Sequence, residues 1–281
     1  MWTILSVLQW TEKRFGERGL GSPRLDAQIL LADVLQKDRV YLYTHFDQPL
    51  GPDELAKFRG LIQRRLGGEP VAYLVGKKEF RSLDLTVDAR VLVPRPDSEA
   101  TVDAALAHLP ADATGRVVDI GTGSGAIALA LKKERPALEV LAVDRSPDAA
   151  AVARANAEKL GLAVEVLEGD LFAPVTARAP FALIVSNPPY IPTADIAALA
   201  PEVRKEPLAA LDGGPDGLAI LRRLISDAAP LLAPDAALVL EVGAGQAPAV
   251  AALFATDGRY APATTTKDLA AIDRAVAARR K

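Results

Sequence analysis

Apolar residues in the first 70 positions recur three and four residues apart, the spacing that places them on one face of a helix. Ser22-Pro23 supplies an N-cap followed by a proline in the first helical turn, and Gly51-Pro52 opens a second segment in a similar way. Gly67-Gly68 ends that segment. The pattern predicts a small helical bundle over residues 1–70. Its apolar positions include Leu25, Ile29, Leu30 and Val34 in one segment and Leu55, Phe58, Ile62 and Leu66 in the other.

Residues 71–99 alternate apolar and polar positions more closely, which is typical of short strands. We expect one strand before Gly76, a turn at Gly76-Lys77-Lys78 and a second strand after it. Pro94-Arg95-Pro96 then favours extended backbone, because proline disfavours helical geometry in the residue before it. The segment is predicted to be a β-hairpin linker. Its apolar positions are Val71, Tyr73, Leu74 and Val75 before the turn and Phe80, Leu83, Leu85 and Val87 after it.

From residue 100 onward, apolar runs of four or five residues alternate with helical segments, the arrangement of parallel strands whose two faces are covered. The residues around 260–266 and 272–277 predict a closing hairpin. The fold class is therefore α/β, with a mostly parallel twisted sheet over residues 100–281. The predicted strands are Val117–Ile120, Val140–Val143, Val164–Leu167, Ala182–Val185 and Leu238–Val242, and the predicted helices are Ala126–Lys133, Asp148–Leu160 and Leu218–Leu232.

The composition narrows the possible chemistry. There are 33 Lys and Arg against 36 Asp and Glu, a net charge of −3, and no Cys. The absence of cysteine excludes a disulfide scaffold, a thiolate nucleophile and Cys-based metal sites, and we expect no metal. Proteins whose main partner is duplex DNA usually carry a basic excess, so the mild acidity argues against direct sequence-specific nucleic-acid binding. No apolar run approaches the ~20 residues that span a bilayer, and the N-terminal stretch lacks the basic residues of a signal peptide. We therefore expect a cytoplasmic protein.

The first predicted strand ends in a loop that contains Gly121, Thr122, Gly123, Ser124 and Gly125. Glycines let the backbone turn sharply and approach a ligand closely, and ligands of such sheets bind at the carboxyl ends of the strands. An acid that ends the second strand either accepts hydrogen bonds from ribose hydroxyls or caps the next helix. That acid is Asp144. The loop also satisfies the pattern of dinucleotide sites, so a nicotinamide cofactor remains open at this point.

The third and fourth strands end in polar loops. Asp170, after the third strand, can accept from an adenine amino group while the apolar Leu171 packs on the ring. The fourth strand is followed by Asn187-Pro188-Pro189-Tyr190. Two prolines lock two φ angles and remove two N–H donors, which leaves a rigid loop that presents the Asn187 side-chain oxygen and the Pro188 carbonyl. Two acceptors beside an aromatic ring suit a planar group that carries an NH₂.

Asn187–Tyr190 resembles the N-P-P-Y motif of S-adenosylmethionine-dependent methyltransferases that act on amide or exocyclic nitrogens. Val118–Ala130 resembles their D-x-G-x-G-x-G motif. Over nearly its whole length, the chain resembles the bacterial protein-(glutamine-N5) methyltransferases of peptide chain release factors (the HemK/PrmC type). The other segments that carry this resemblance are Ser22–Ala27, Glu69–Tyr73, Pro94–Glu99, Glu206–Pro207, Ala210–Leu211, Gly213–Gly214 and Asp216–Leu218. The departures are Ser82 and Ala271, where the family often has glycine, and Asp97 and Ser98, where it more often has glutamate and threonine.

The resemblance implies that the chain is organised in three parts. These are a helical substrate-docking domain at residues 1–70, a β-hairpin linker at 71–99 and a Rossmann-like class I methyltransferase domain at 100–281. It also implies methyl transfer from S-adenosyl-L-methionine, with S-adenosyl-L-homocysteine as product. The acceptor would be the side-chain amide nitrogen of the glutamine in the Gly-Gly-Gln loop of class 1 peptide chain release factors, and the reaction would support translation termination. We expect a monomer.

The same resemblance implies roles for single residues. The loop 121–125 would hold the methionine part of the cofactor, Asp144 its ribose, and Asp170 with Leu171 its adenine. The substrate site would consist of Asn187, Pro188, Pro189 and Tyr190, with Asn187 also beside the cofactor. Asn187 and Pro188 would accept the two N–H bonds of the glutamine amide, and Tyr190 would pack on it.

Other functions compete with this one. A nucleic-acid adenine or guanine N-methyltransferase would also use the acceptor pair, but it must reach a flipped or single-stranded base and is expected to carry a basic face. A non-catalytic protein on the same fold has no use for an intact Asn187–Tyr190 loop, and an NAD-dependent oxidoreductase explains only the glycine loop. Glu99 and Arg95 either cover the methionine end of the cofactor or form a solvated ion pair of little stability. His45 and His108 are expected to be ordinary surface residues.

Overall fold

The computed structural model describes residues 1–281 and divides into two units. The first unit comprises residues 1–77 and 200–205 and contains five helices. Local caps begin two of the helices: the Thr3 hydroxyl accepts from the Ser6 N–H, and the Asp38 carboxylate accepts from the Tyr41 N–H at 2.8 Å. The predicted helical bundle is confirmed. The domain boundaries at residues 70 and 99 stay a prediction. The helices are α1 (Ile4–Glu17), α2 (Pro23–Leu35), α3 (Arg39–Thr44), α4 (Pro52–Leu66) and α5 (Val71–Val75).

The strand predicted before Gly76 is wrong, because Val71–Val75 forms helix α5. The helix ends at Gly76, which adopts the left-handed conformation at φ +70°. Val71, Leu74 and Val75 pack against the core of the helical unit, since positions one, four and five of a helical segment share a face. Tertiary packing thus overrides the β propensity of the valines.

A β-hairpin follows, but its turn lies later in the chain than predicted. Strand β1 (Lys77–Phe80) is joined to β2 (Leu83–Thr86) through Arg81 and Ser82, at φ +47° and +57°. A two-residue turn of this kind needs positive φ at both central positions. Ser82 is one of the two departures from glycine. The other, Ala271, also has a positive φ, +61°.

A seven-stranded sheet forms the centre of the second unit, which comprises residues 78–199 and 206–281. The strands are β3 (Gly115–Ile120), β4 (Leu138–Asp144), β5 (Val164–Glu168), β6 (Phe181–Ser186), β7 (Leu232–Glu241), β8 (Thr264–Lys267) and β9 (Asp273–Arg279). Their order in the sheet is β5-β4-β3-β6-β7-β9-β8, and all neighbours are parallel except β7–β9 and β8–β9. The predicted α/β class, its five parallel strands and the closing hairpin are confirmed.

Helices α7 (Ala126–Glu134) and α8 (Pro147–Leu160) match their predicted ranges to within one residue, whereas two helices of this unit were not predicted. These are α6 and α10. The predicted helix from Leu218 to Leu232 is shorter, because α9 ends at Ala228 and Leu232 begins β7. His108 follows α6 and is half-buried, not exposed; burial lowers its pKa. The helices are α6 (Glu99–Ala107), α7 (Ala126–Glu134), α8 (Pro147–Leu160), α9 (Ala219–Ala228) and α10 (Ala247–Asp257).

The strand order creates a crevice between β3 and β6. From β3 the chain adds β4 and β5 on one side, and it returns to the other side of β3 with β6 and β7. At such a switch point the loops after neighbouring strands diverge and leave room for a ligand. No helix of the protein is both long enough and apolar enough to cross a bilayer.

Candidate active site

The loops predicted to bind ligands meet at the carboxyl edge of the sheet. Ile120 at the end of β3 is paired with Val143 of β4 and with Ser186 of β6. The Gly121 N–H donates to the Val143 carbonyl at 2.8 Å, and the Gly169 N–H donates to the Asp144 carbonyl at 3.0 Å. Four strand ends are thus held in register side by side.

A cavity of about 540 Å³ opens at this edge, within the size range of small-molecule and cofactor sites. Eight predicted site residues line it: Gly121, Gly123, Asp144, Asp170, Leu171, Asn187, Pro188 and Pro189. Four others do not. Thr122 and Ser124 are buried, and Gly125 and Tyr190 also stand back from the wall.

The glycine loop uses its glycines for two different purposes. Gly121 and Gly123 have φ of +76° and +56°, and a Cβ at either position would meet no atom within 4 Å, so these two positions leave space open where they line the cavity. At Gly125, a Cβ would lie 3.0 Å from Leu129 and 3.5 Å from Ala153. Gly125 therefore permits the close packing of α7 and α8, whereas Gly121 and Gly123 permit a ligand to approach the backbone.

Asp119 lies beneath this loop and was not singled out by sequence reasoning, although it opens the D-x-G-x-G pattern. Its Oδ2 accepts from the Thr122 hydroxyl at 2.7 Å and from the Ala128 N–H at 3.3 Å, while its Oδ1 is buried without a partner. Burial raises the pKa of Asp119 to about 7, and the charge of Asp144 adds to the shift. Asp119 is not part of the cavity wall, so a ligand in the cavity would reach this acceptor through a water molecule.

Asp144 joins the glycine loop to the start of α8. Its Oδ2 accepts from the Gly123 N–H and its Oδ1 from the Ser146 N–H, both at 2.9 Å. The N-cap of α8 is Ser146, whose hydroxyl accepts from the Ala149 N–H. Each carboxylate oxygen of Asp144 keeps a further lone pair. The structure thus leaves acceptors on Asp144 at the cavity wall, and its ribose role stays a prediction.

The loop after β5 combines an ion pair with an unusual backbone conformation. The Asp170 carboxylate pairs with Arg223 of α9 at 2.6 Å, with both side chains about half exposed. Leu171 adopts a φ of +47°, which is uncommon for a residue with a branched side chain and typical of functional sites. Both residues line the cavity, and their roles toward an adenine ring stay predictions.

The loop after β6 lines the cavity with Asn187, Pro188 and Pro189. The Asn187 Nδ2 donates to the Ser98 hydroxyl at 3.1 Å, while no protein donor reaches its Oδ1 or the Pro188 carbonyl. Asn187 is therefore anchored through its NH₂ group and keeps its oxygen for a ligand. Its anchor, Ser98, lies 89 positions earlier.

Tyr190 is partly buried and is not one of the residues of the cavity wall. It packs against the main hydrophobic cluster, and burial raises its pKa to about 12. Its carbonyl accepts from Gln246 Nε2 at 2.9 Å, and a Cβ at Gly213 would lie 2.8 Å from the Tyr190 Cα. These contacts hold the end of the loop. The predicted packing of the Tyr190 ring on a substrate stays a prediction.

Arg95 belongs to a clamp between two cavity segments. It forms an ion pair with Glu206, whose carboxylate is buried and also accepts from the Val93 N–H at 3.1 Å. Segments 90–92 and 207–210, next to these residues, line the cavity. Arg95 itself does not line the cavity. Its ion pair with Glu206 is not a solvated pair, because the Glu206 carboxylate is buried. Glu99 forms no ion pair and is not part of the wall.

Asn156 is a further residue that sequence reasoning missed. It is fully buried in α8, where Oδ1 accepts from the Thr86 N–H at 2.7 Å. Its Nδ2 donates to the Thr86 carbonyl at 3.0 Å and to the Ser124 carbonyl at 2.9 Å. One side chain thus connects the hairpin, α8 and the glycine loop. A polar residue on the apolar face of the predicted helix was the available signal.

Known proteins match this chain over nearly its whole length. Residues 6–76 match the family described as PrmC N-terminal domain, and residues 98–212 match the methyltransferase small domain. The chain is 48% identical over 280 residues to the release factor glutamine methyltransferase of Geobacter sulfurreducens, which covers 99% of this chain and 97% of the relative. It is 43% identical over 281 residues to that of Moorella thermoacetica, which covers 99% of each chain.

Among solved structures, the T. thermophilus 16S rRNA N2 G1207 methyltransferase, in complex with AdoMet and guanosine, has a TM-score of 0.52 at 18% identity. The likeness covers 73% of this chain and 50% of that one and shows the fold alone. The two relatives named above align with 99% of this chain at 43–48% identity. The chain therefore belongs to the release factor glutamine methyltransferase family.

Proposed function

We propose that this protein transfers a methyl group from S-adenosyl-L-methionine to the side-chain amide nitrogen of the glutamine in the Gly-Gly-Gln loop of class 1 peptide chain release factors. The observation that carries the proposal is the state of the loop after β6. Asn187 Oδ1 and the Pro188 carbonyl have no protein donor and lie in the wall of the same cavity as Gly121, Gly123 and Asp144. Two acceptors match the two N–H bonds of a primary amide.

The donor-binding residues fit the groups of S-adenosyl-L-methionine. Two glycines leave open space, the buried Asp119 has an oxygen without a partner, and Asp144 has free lone pairs where a ribose would lie. In this assignment, the loop 121–125 holds the methionine part, Asp144 the ribose, and Asp170 with Leu171 the adenine. When bound, the donor supplies an electrophilic methyl group on a sulfonium.

The protein itself has two tasks in this reaction. An amide nitrogen is a poor nucleophile, because its lone pair is delocalised into the carbonyl. Asn187 and Pro188 must hold the nitrogen in one orientation, which contributes several kcal/mol, and must stabilise the positive charge that develops on it. Asn187 does not titrate near neutral pH, so it acts as an acceptor and not as a base. The nitrogen gains the methyl group as the methyl–sulfur bond breaks, and its surplus proton then goes to solvent water.

The remaining expectations depend on this activity. Residues 1–70 are the substrate-docking domain and the enzyme acts as a monomer. It meets its substrate in the cytoplasm, where translation terminates, and it makes no sequence-specific contact with nucleic acid. Gel filtration with light scattering tests the monomer directly.

A labelling assay tests the substrate. The protein is incubated with S-adenosyl-L-methionine that carries a labelled methyl group and, in separate reactions, with one of four acceptors. These are a release factor, the same release factor with its loop glutamine changed to alanine, DNA, and RNA. We expect label on the unchanged release factor alone. Label on nucleic acid, with none on the release factor, would mean that the protein is a nucleic-acid N-methyltransferase.

Paired variants test the division of roles. Asn187→Ala removes one acceptor, so kcat should fall about 100- to 1000-fold. Asn187 also lies beside the cofactor in this assignment, so the Kd for S-adenosyl-L-homocysteine, measured by calorimetry, should rise by a far smaller factor than kcat falls. Asp144→Ala should instead weaken that Kd. A near-normal rate for Asn187→Ala would refute its role.

A further inference from the structure

A chain of buried polar groups lies behind Asn187. Ser98, which is 4% exposed, accepts from Asn187 Nδ2 at 3.1 Å. Glu241, at the end of β7, is 1% exposed and accepts from the Thr101 hydroxyl at 3.1 Å. Burial raises the pKa of the Glu241 carboxyl, and hydrogen bonding by the Ser98 and Thr101 hydroxyls opposes that rise. None of these three residues lines the cavity.

The direction of these bonds decides which end of the Asn187 amide faces the substrate. A serine hydroxyl has one hydrogen and two lone pairs. The Glu241 carboxyl group can accept that hydrogen in both of its protonation states, through either oxygen when it is ionised and through its carbonyl oxygen when it is protonated. When the Ser98 hydrogen points to Glu241, its lone pairs remain for a donor. Asn187 must then turn its NH₂ toward Ser98 and its oxygen toward the cavity.

The reversed amide would be unproductive. It would present an NH₂ group to the NH₂ of the substrate, where neither group can accept, and both would lose a hydrogen bond. Nothing in the Asn187–Tyr190 loop itself distinguishes the two orientations, because the oxygen and NH₂ of an asparagine have nearly the same size. The distinction has to come from outside the loop.

We propose that Ser98 and Glu241 are positioning residues that fix the orientation of the Asn187 amide, so that its oxygen accepts from the substrate. This inference rests on the proposed function and adds the residues that hold its acceptor in place. Ser98 acts on Asn187 directly, and Glu241 acts through Ser98.

Kinetics of three variants test the role in the reaction. Ser98→Ala removes the acceptor, so we expect kcat to fall at least about tenfold, with KM for S-adenosyl-L-methionine within about twofold. Ser98→Thr keeps the hydroxyl and should retain at least about half of the normal kcat. Thr101→Val is the matched control, because it removes the other hydroxyl on Glu241 without touching Asn187. It should lower the melting temperature but leave kcat within about twofold.

A second readout follows the amide itself and does not depend on activity. The chain has two asparagines, Asn156 and Asn187, so protein labelled with ¹⁵N-asparagine shows only two side-chain NH₂ groups by NMR. Asn156, held by three buried hydrogen bonds, is an internal reference. Ser98→Ala should shift the Asn187 NH₂ signals and increase their exchange with water, while those of Asn156 stay in place.

The two readouts separate the possible failures. Unchanged Asn187 signals in Ser98→Ala would overturn the claim that Ser98 holds the amide. A kcat above half of normal in that variant, or equal losses of kcat in Ser98→Ala and Thr101→Val, would overturn the claim that this matters for catalysis. If the unchanged protein labels no release factor, the proposed function fails, whereas the NMR result still decides the orientation of Asn187.

Discussion

Asn156→Asp is the sharpest test of how the glycine loop is held. The change keeps the size and shape of the side chain and one of its three hydrogen bonds, that from the Thr86 N–H at 2.7 Å. The NH₂ group that donates to the Thr86 and Ser124 carbonyls at 3.0 and 2.9 Å becomes an oxygen. An ionised carboxylate would place a negative charge against two carbonyl oxygens in a site with no solvent exposure.

The size of the effect depends on pH in a defined direction. The protonated carboxyl group of this variant can donate to only one carbonyl, so the variant loses about 1–3 kcal/mol at any pH. The pKa of that carboxyl group in the folded protein lies above the unfolded value of about 3.9, so the folded state binds the extra proton. Above the unfolded pKa, and up to the folded pKa, the stability of the variant relative to the unchanged protein therefore falls as pH rises, by up to about 1.4 kcal/mol per pH unit. Between about pH 4.5 and about pH 7 the additional loss is roughly 3 kcal/mol.

Urea unfolding followed by circular dichroism at several pH values measures this difference in the free energy of unfolding. Asn156→Ala is the control: it removes all three hydrogen bonds but adds no titratable group, so its loss of stability should not change with pH. Both variants should weaken S-adenosyl-L-homocysteine binding, because Ser124 belongs to the glycine loop. A loss that is independent of pH in Asn156→Asp would refute the reasoning.

Three further predictions follow from single contacts. Ser82→Gly and Ala271→Gly relieve positive φ angles of +57° and +61°, so each should raise the free energy of unfolding by about 0.5–1 kcal/mol; a loss in urea unfolding would contradict this. Gly213→Ala places a Cβ 2.8 Å from the Tyr190 Cα, so displacement of the acceptor loop should lower kcat at least about tenfold, and a normal rate would show that the loop adapts. Burial raises the pKa of Glu241 to about 7, so its folded form keeps a proton that the unfolded chain releases at lower pH, and this group makes the protein less stable as pH rises from about 4 to about 7. The stability of Glu241→Gln relative to the unchanged protein should therefore increase from about pH 5 to about pH 8. Melting temperatures measure this, and the same difference between the two proteins at both pH values would contradict it.

Local patterns were sufficient for most of the architecture. Strands β3 to β7 were visible as short apolar runs, because a parallel strand is buried on both faces. Helices α7 and α8 were visible between them, because the apolar residues of a helix recur every three or four positions. The failures were the short segment before Gly76, the end of α9, and helices α6 and α10, which were not predicted. Val71–Val75 has the composition of a strand, and only its contacts with the helical core make it a helix.

The candidate site divides in the same way. The glycine loop, Asp144 and Asn187–Pro189 were found from the sequence, since each ends a strand and the ends of parallel strands share one edge of the sheet. Tyr190 ends the same loop but packs against the main hydrophobic cluster and does not line the cavity, and its contact with a substrate stays a prediction. Nothing local in the sequence records which way a side chain turns after a tight loop.

The sequence by itself determined which segments are strands, which loops carry glycine and proline, and which family the chain resembles. These features are local, and turn chemistry and hydrophobic period express them within a few residues. Only the tertiary structure decided the partners of the buried polar groups: Asn187 with Ser98, 89 positions apart, Arg95 with Glu206, 111 apart, and Thr101 with Glu241, 140 apart. A buried polar group must be paired, but it is paired with whichever donor or acceptor the fold brings near. That partner is set by packing across the whole sheet.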